Sequence, residues 1–541
     1  MHGNAMAYGN IHPALPSILA TNPAMEGDHK EPDLFQASEG TMNVTRLQQL
    51  EQLQTQGHFN VVILGGGING ACLYDTLCRQ GYKVLLVDKG DFASGASQSS
   101  GMMIWGGLLY LRNFDLSSVF QLSFDRDRLI DQKARWMAPT MMRYLPTAGD
   151  RRTKWWVLSG LWFYWLMGIG RRRAPRSEVI FTEAELIRPG LVKSALCYEE
   201  AFLDQSDARF VFRWIGSPQT PCQIALNYCD VQGSYAPKDK RWHLELTDTM
   251  SAKPYEIQSS MVVNCTGVWT DQVNAHFGID PPFRHALSKG VYLGIPRDER
   301  HQSSLFFELG KHNDVITHVP WGPNSLWGPT ETAVKTIAEG LSASREDIDF
   351  LLEQYALRYR KPVSRSDIVS VRCGIRSLVV DKHYKSDCYP LDLSRRQEVV
   401  QDGDKPWISC YGGKITGCSR MAAKVLKLLK KSVVPTGEMR IDDHNLEADA
   451  QQMLFPGLPQ PIMSAEWCAK HELCCTLEDY LRRRTNIAQW TPRGGLGKND
   501  THAQILKDIS LLIANGDASL AAQLFESYRS KIENTLDPLL A

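Results

Sequence analysis

Short apolar runs that end in glycine or an acid recur along the chain. Phe59-Asn-Val-Val-Ile-Leu64 is apolar and β-branched, the pattern of a strand buried on both faces. Lys83-Val-Leu-Leu-Val-Asp88 has the same character, and so do Met261-Val-Val-Asn-Cys-Thr-Gly267 and Ile408-Ser-Cys-Tyr-Gly-Gly-Lys-Ile-Thr416. Residues 288–296 and 314–328 alternate as antiparallel strands do. Helical spacing marks 42–56, where Leu47, Leu50 and Leu53 share a face, and also 115–136, 344–359, 419–431, 473–484 and 501–514. Together these predict an α/β fold. A Rossmann-like nucleotide-binding domain is interleaved with a β-rich substrate domain over 42–438, the substrate parts at about 140–195 and 280–365. A separate α-helical domain follows over 439–541. Residues 1–41 mix Pro, Gly, Asn and Met without period and read as a disordered extension.

One apolar stretch fits two descriptions. Residues 155–169, WWVLSGLWFYWLMGI, lie between Arg151-Arg-Thr-Lys154 and Arg171-Arg-Arg173. A spanning helix needs about 20 apolar residues, so this run is short. It is either a buried helix beneath the nucleotide domain with solvated arginines, or a peripheral membrane contact through 151–173.

Composition narrows the partners. With 541 residues, 43% of them apolar, the chain can build large cores, and a formal charge of zero favours no nucleic acid. The 13 cysteines include no C-x-x-C pair, which fits a reducing compartment and no metal site. The N-terminal stretch lacks the charged and apolar segments of a secretory signal, so the expected location is cytoplasmic.

The chemistry begins at Gly65, Gly67 and Gly70, spaced G-x-G-x-x-G between a strand and a helix. The first allows the turn, the second lets backbone approach a pyrophosphate, and the third lets the helix pack on the strand. The helix N-terminus offers N–H groups to phosphate. Asp88 follows about 20 residues later, where an acid binds ribose hydroxyls. Gly90 to Gly101 is rich in small residues, so backbone can lie against a ligand there. The candidate cofactor residues are Gly65, Gly67, Ile68, Asn69, Gly70, Asp88, Lys89, Ser97, Ser99, Gly267, Gly413, Lys414, Ile415 and Thr416.

Further markers extend this pattern. They are Asp91-Phe-Ala-Ser94, Gly106-Gly-Leu-Leu-Tyr-Leu111, Asp204 with Asp207-Ala-Arg209, Ser288-Lys-Gly290, Gly374-Ile-Arg-Ser-Leu378, Gly412-Gly-Lys-Ile-Thr416 and Arg482-Arg-Arg-Thr485. With Leu64 to Ala71 and Val262 to Trp269, the chain resembles the FAD-dependent glycerol-3-phosphate dehydrogenases, glutathione-reductase-like and D-amino-acid-oxidase-like flavoproteins. The resemblance runs from about residue 45 to about residue 535. It implies FAD as cofactor and a hydride passing from a secondary alcohol, glycerol 3-phosphate or a related anionic substrate, to flavin N5 while a base takes the hydroxyl proton. A quinone at the membrane is the implied electron acceptor. Gly412-Gly413-Lys414 would stabilise the charge that reduction gathers at N1/O2.

The substrate half departs from the family. Its loop, roughly S-S-K-L-I-H-G-G-x-R-Y, here reads Ser100-Gly-Met-Met-Ile-Trp-Gly-Gly-Leu-Leu-Tyr110. Met102, Trp105 and Leu109 stand at the Lys, His and Arg positions, and Tyr292 stands at a second His position. Each lost charged hydrogen bond to a phosphate would cost on the order of 1.5–3 kcal/mol. Arg376 remains as an anion anchor, with Arg395 or Arg396 as a second. The candidate catalytic residues are Arg376, Lys414, Tyr292 and Tyr110. Tyr292 could take a proton only with a depressed pKa, and His285 and His318 are alternatives. The more apolar loop suits a bulkier or less charged substrate. The competing readings are oxidation of a different alcohol or amine, reaction with O2, and a flavin-binding protein without turnover.

Overall fold

The computed structural model describes residues 44–147, 150, 152–216, 220–309, 314–384, 393, 396–440, 447 and 450–541. The expectations for 1–41 and for Arg395 lie outside these residues. The described residues all belong to one compact unit.

Two sheets carry the fold. In the first, Trp407–Tyr411, Lys253–Asn264, His58–Leu64, Val84–Val87 and Gln223–Leu226 lie side by side in that order, and all four pairings are parallel. Helices cover both faces of such a sheet, which is why its strands are continuous apolar runs. Helix Ile68–Cys78 packs on the first strand at close range, since a Cβ at Gly70 would lie 1.9 Å from the Gly65 carbonyl oxygen. Only glycine allows that approach.

The second sheet has ten strands. Its spine is Phe283–Pro296, which pairs with Ser370–Asp381 so that Ser288 faces Arg376, Gly290 faces Gly374 and Tyr292 faces Arg372. This sheet also takes in Met103–Ile104 and Ala195–Leu203. It therefore reaches beyond 140–195 and 280–365, and Arg376 belongs to it.

The C-terminal helices are not set apart from this unit. They have a small apolar core of their own around Tyr480, Leu506 and Phe525. Even so, Arg484 grips Asp91 through two bonds of 2.6 and 2.9 Å, and Arg483 binds the same carboxylate. Burial alone would raise the Asp91 carboxyl, but the two guanidiniums outweigh it and hold it down to about 2. Gln489 meanwhile accepts from Arg372 and Ser370 of the substrate sheet.

The aromatic stretch forms helix Lys154–Met167, capped by Thr153, and only Leu161 and Tyr164 are buried. Trp155 is 73% exposed, Trp156 58% and Leu166 62%, which overturns the buried-helix reading. No described helix is long and apolar enough to cross a membrane.

Candidate active site

The two sheets meet at a cavity of about 1060 Å³. Its cofactor-side wall comes from Ile68, Ser97, Ser99, Gly413, Lys414, Ile415 and Thr416, and its substrate-side wall from Tyr292 and Arg376, with Tyr110 on the connecting loop. The sequence thus named residues from six separated stretches that the fold brings to one place.

The nucleotide end is held by backbone and short side chains. Ile68 N–H donates to Ser97 Oγ at 3.0 Å. Asp88 accepts from Gly66 N–H at 2.7 Å and from Gly90 N–H at 2.9 Å. Burial raises its carboxyl to about 7 against the pull of those two bonds. Asn69 Nδ2 donates to the Gly412 carbonyl at 3.2 Å, so helix Ile68–Cys78 touches the late glycine turn. At Gly413 φ is +120°, and a Cβ there would sit 2.7 Å from Asn69 Nδ2. A Cβ at Gly267 would meet nothing within 4 Å, so that turn keeps open space beside the strand ends. Lys89 does not join this group: its side chain is on the surface, paired with Asp230 at 3.1 Å.

On the catalytic side, Thr416 Oγ1 accepts from Trp105 N–H at 2.9 Å and ties the substrate loop to the cofactor turn. Lys414 Nζ lies 4.0 Å from the Tyr110 ring centre and 5.6 Å from that of Trp105. Burial lowers its ammonium to about 7. Tyr110 Oη and Trp105 Nε1 are buried without a hydrogen-bond partner among the described residues.

The anion anchor is not free. Arg376 Nη1 binds Glu331 Oε2 at 2.7 Å, and Glu331 also accepts from Ser288. Arg396 lines the cavity but pairs with Asp381 at 2.8 Å. Tyr292 is corrected as a proton acceptor, since burial raises its hydroxyl instead of depressing it. His285 accepts the Gly412 N–H at 3.1 Å, and burial lowers it to about 4, so it props the turn. His318 is buried against the Tyr359 hydroxyl at 2.7 Å, outside the cavity. Met102 is buried in the core, whereas Trp105 and Leu109 do line the cavity.

Sequence reasoning missed Glu331 and the Lys289–Asp347 pair, bonded at 2.6 Å, both of which line the cavity. Ser288-Lys-Gly290 was already a marker and could have pointed to Lys289. Glu331 follows a Pro-Thr pair with no periodic signal.

A parallel sheet with glycine turns at its strand ends, an acid after the second strand, an open cradle at Gly267 and a lysine facing the cavity fit a flavin dinucleotide. The family profile described as FAD dependent oxidoreductase matches residues 60–391, and the chain belongs to that family. FAD is its cofactor. Among relatives, the glycerol-3-phosphate dehydrogenase of Mycobacterium leprae (strain TN) is 30% identical over 388 residues, covering 68% of this chain and 62% of the relative. The aerobic glycerol-3-phosphate dehydrogenase of Escherichia coli (strain K12) is 25% identical over 426 residues, covering 74% and 82%. The D-erythritol 1-phosphate dehydrogenase of Brucella abortus (strain 2308) is 24% identical over 422 residues, covering 75% and 82%. The solved glycerol-3-phosphate dehydrogenase of Bacillus halodurans, complexed with FAD, shares the fold. Its TM-score is 0.67 at 17% identity, covering 92% of this chain and 99% of that one.

Proposed function

We propose that this chain oxidises a secondary alcohol on a small phosphorylated polyol, glycerol 3-phosphate foremost. The observation that supports this most is that Lys414, on the cofactor turn, and Arg376, on the substrate sheet, line one cavity. Bound FAD supplies the hydride acceptor. The N-terminus of helix Ile68–Cys78 would hold its pyrophosphate, and Asp88 its ribose. Lys414 and the backbone of Gly413 would stabilise the charge that reduction develops. Arg376 draws the substrate's anion, Tyr110 hydrogen-bonds the substrate, and Trp105 and Leu109 keep water from the reacting carbon. The names of the relatives, covering glycerol 3-phosphate and D-erythritol 1-phosphate, support the substrate class.

A second reading, oxidation of a less charged alcohol or an amine, is favoured by Leu109 in the cavity wall and by Glu331 on Arg376. Bleaching of the flavin absorbance without oxygen separates the two. Glycerol 3-phosphate bleaches the protein at millimolar concentration or below if the first holds. Bleaching by uncharged alcohols or amines alone would sink it.

The electron acceptor in this reading is a quinone. The chain sits peripherally on the inner face of a membrane, through helix Lys154–Met167. Exposed Trp155, Trp156 and Leu166 on this helix, with Arg171 and Arg173 exposed beyond it, suit the interface between headgroups and acyl chains.

A further inference from the structure

Resting on the alcohol-oxidation reading, we propose that Lys414 is the group that takes the substrate's hydroxyl proton. The cavity offers few other acceptors. Lys289 is held by Asp347 at 2.6 Å, Arg376 by Glu331 at 2.7 Å, and Arg396 by Asp381 at 2.8 Å. Glu346 and Glu353 line the cavity from helix Arg345–Ala356, but both are solvent-exposed. Tyr292 keeps its proton, because burial raises it. His285 is engaged by Gly412 N–H and His318 by Tyr359.

Lys414 differs from all of these. It stands on the cofactor turn, the wall where oxidation must occur, and its Nζ faces the ring of Tyr110 at 4.0 Å. Among the described residues no carboxylate opposes it. On helix Leu116–Gln132, packed beside the cofactor turn, the charged groups that are not solvent-exposed are ion-paired. Arg126 pairs with Glu200 at 2.7 Å and with Asp127 at 2.9 Å, and Asp125 pairs with Arg420 at 2.8 Å. The ring faces of Tyr110 and Trp105 attract a cation, but burial without a counter-ion outweighs them and brings Lys414 to about 7, where a general base works best.

The step balances as follows. The substrate O–H bond breaks and a new N–H bond forms on Nζ. The C–H bond breaks with its electron pair passing to bound FAD. A ketone and the Lys414 ammonium remain, and the ammonium later releases its proton to cavity water.

Stopped-flow bleaching by glycerol 3-phosphate without oxygen is the test, read across pH. In the native protein the rate rises to a plateau around the Lys414 value of about 7. Lys414→Arg fixes a positive charge there and removes the accepting lone pair, so the rate falls roughly 10²–10⁴-fold and the pH limb disappears. Lys414→Ala regains rate with methylamine, in proportion to the free base. FAD absorbance and melting temperature establish that both variants fold. Reductive ¹³C-methylation gives a readout independent of turnover: one lysine resonance titrates near 7 and is absent from Lys414→Arg. A Lys414→Arg rate within tenfold of native, absence of amine rescue, or titration of that resonance near 10.5 overturns the proposal. If glycerol 3-phosphate does not bleach the native protein, the substrate reading fails, and the resonance still decides for or against a basic amine at Lys414.

Discussion

Glu331 governs how strongly Arg376 can hold an anion. The guanidinium is half-buried and already shares a charge-assisted bond with the carboxylate at 2.7 Å. Glu331→Gln removes that competition, so phosphate should inhibit, and glycerol 3-phosphate bind, roughly tenfold more tightly, the worth of about one charged hydrogen bond. Inhibition constants for inorganic phosphate that are equal in native and variant protein would remove Arg376 as the anchor. This residue also marks the limit of what could be read beforehand. Gly65, Gly70 and Asp88 were legible because one local geometry demands those residue types at that spacing. The placement of Lys414 in the cavity followed from Gly412-Gly413 at a strand end. Glu331 acts through a strand pairing, Ser288 opposite Arg376, that no local pattern announces. Tyr292 was misjudged because its hydroxyl's titration depends on enclosure by distant strands, and enclosure pushes it up.

At the scale of elements, the aromatic helix carries the clearest consequence. Its apolar residues surround it on nearly all sides, so periodicity cannot tell a buried helix from one lying on lipid. Only a partner surface decides, and in the fold it covers Leu161 and Tyr164 while leaving Trp155, Trp156 and Leu166 out. The protein should therefore float with vesicles containing anionic lipid, and Trp155→Ser combined with Trp156→Ser and Leu166→Ser should leave it at the bottom of the gradient. Native protein that stays down with every lipid composition tested rules out the contact. The buried strands were legible for the opposite reason. A parallel strand covered on both faces has to be a continuous apolar run, and four such runs became four neighbours in one sheet. Strand Ser370–Asp381 went unread as part of the substrate sheet, since its arginines and glycine hide its alternation.

For the molecule as a whole, acid should be the weak side. His285 and His301 are both lowered by burial, from 6.5 to about 4. Below 6.5 the unfolded chain binds protons that the folded one refuses, so stability falls as pH drops from 6.5 toward 4. Asp88, whose folded value of about 7 lies above 3.8, works the other way with Asp125, Glu200 and Asp479, while buried His318 and the arginine-held Asp91 add to the loss in acid. The melting temperature of the FAD-bound protein is expected to fall between pH 6.5 and 4.5, less steeply in His285→Gln; a flat native profile contradicts this. The clasp on Asp91 has a different kind of consequence, one of time. Asp91 and Arg484 are 393 residues apart in the chain. A ribosome adding about 5–20 residues per second needs roughly 20–80 s to cover that separation. Throughout that interval the newborn nucleotide sheet holds an acid without its two arginines, and for most of it lacks the neighbouring strand Trp407–Tyr411. Synthesis therefore passes through a long window before that acid is neutralised, and chains cut short before Arg483 should be lost faster than the full chain in a pulse-chase.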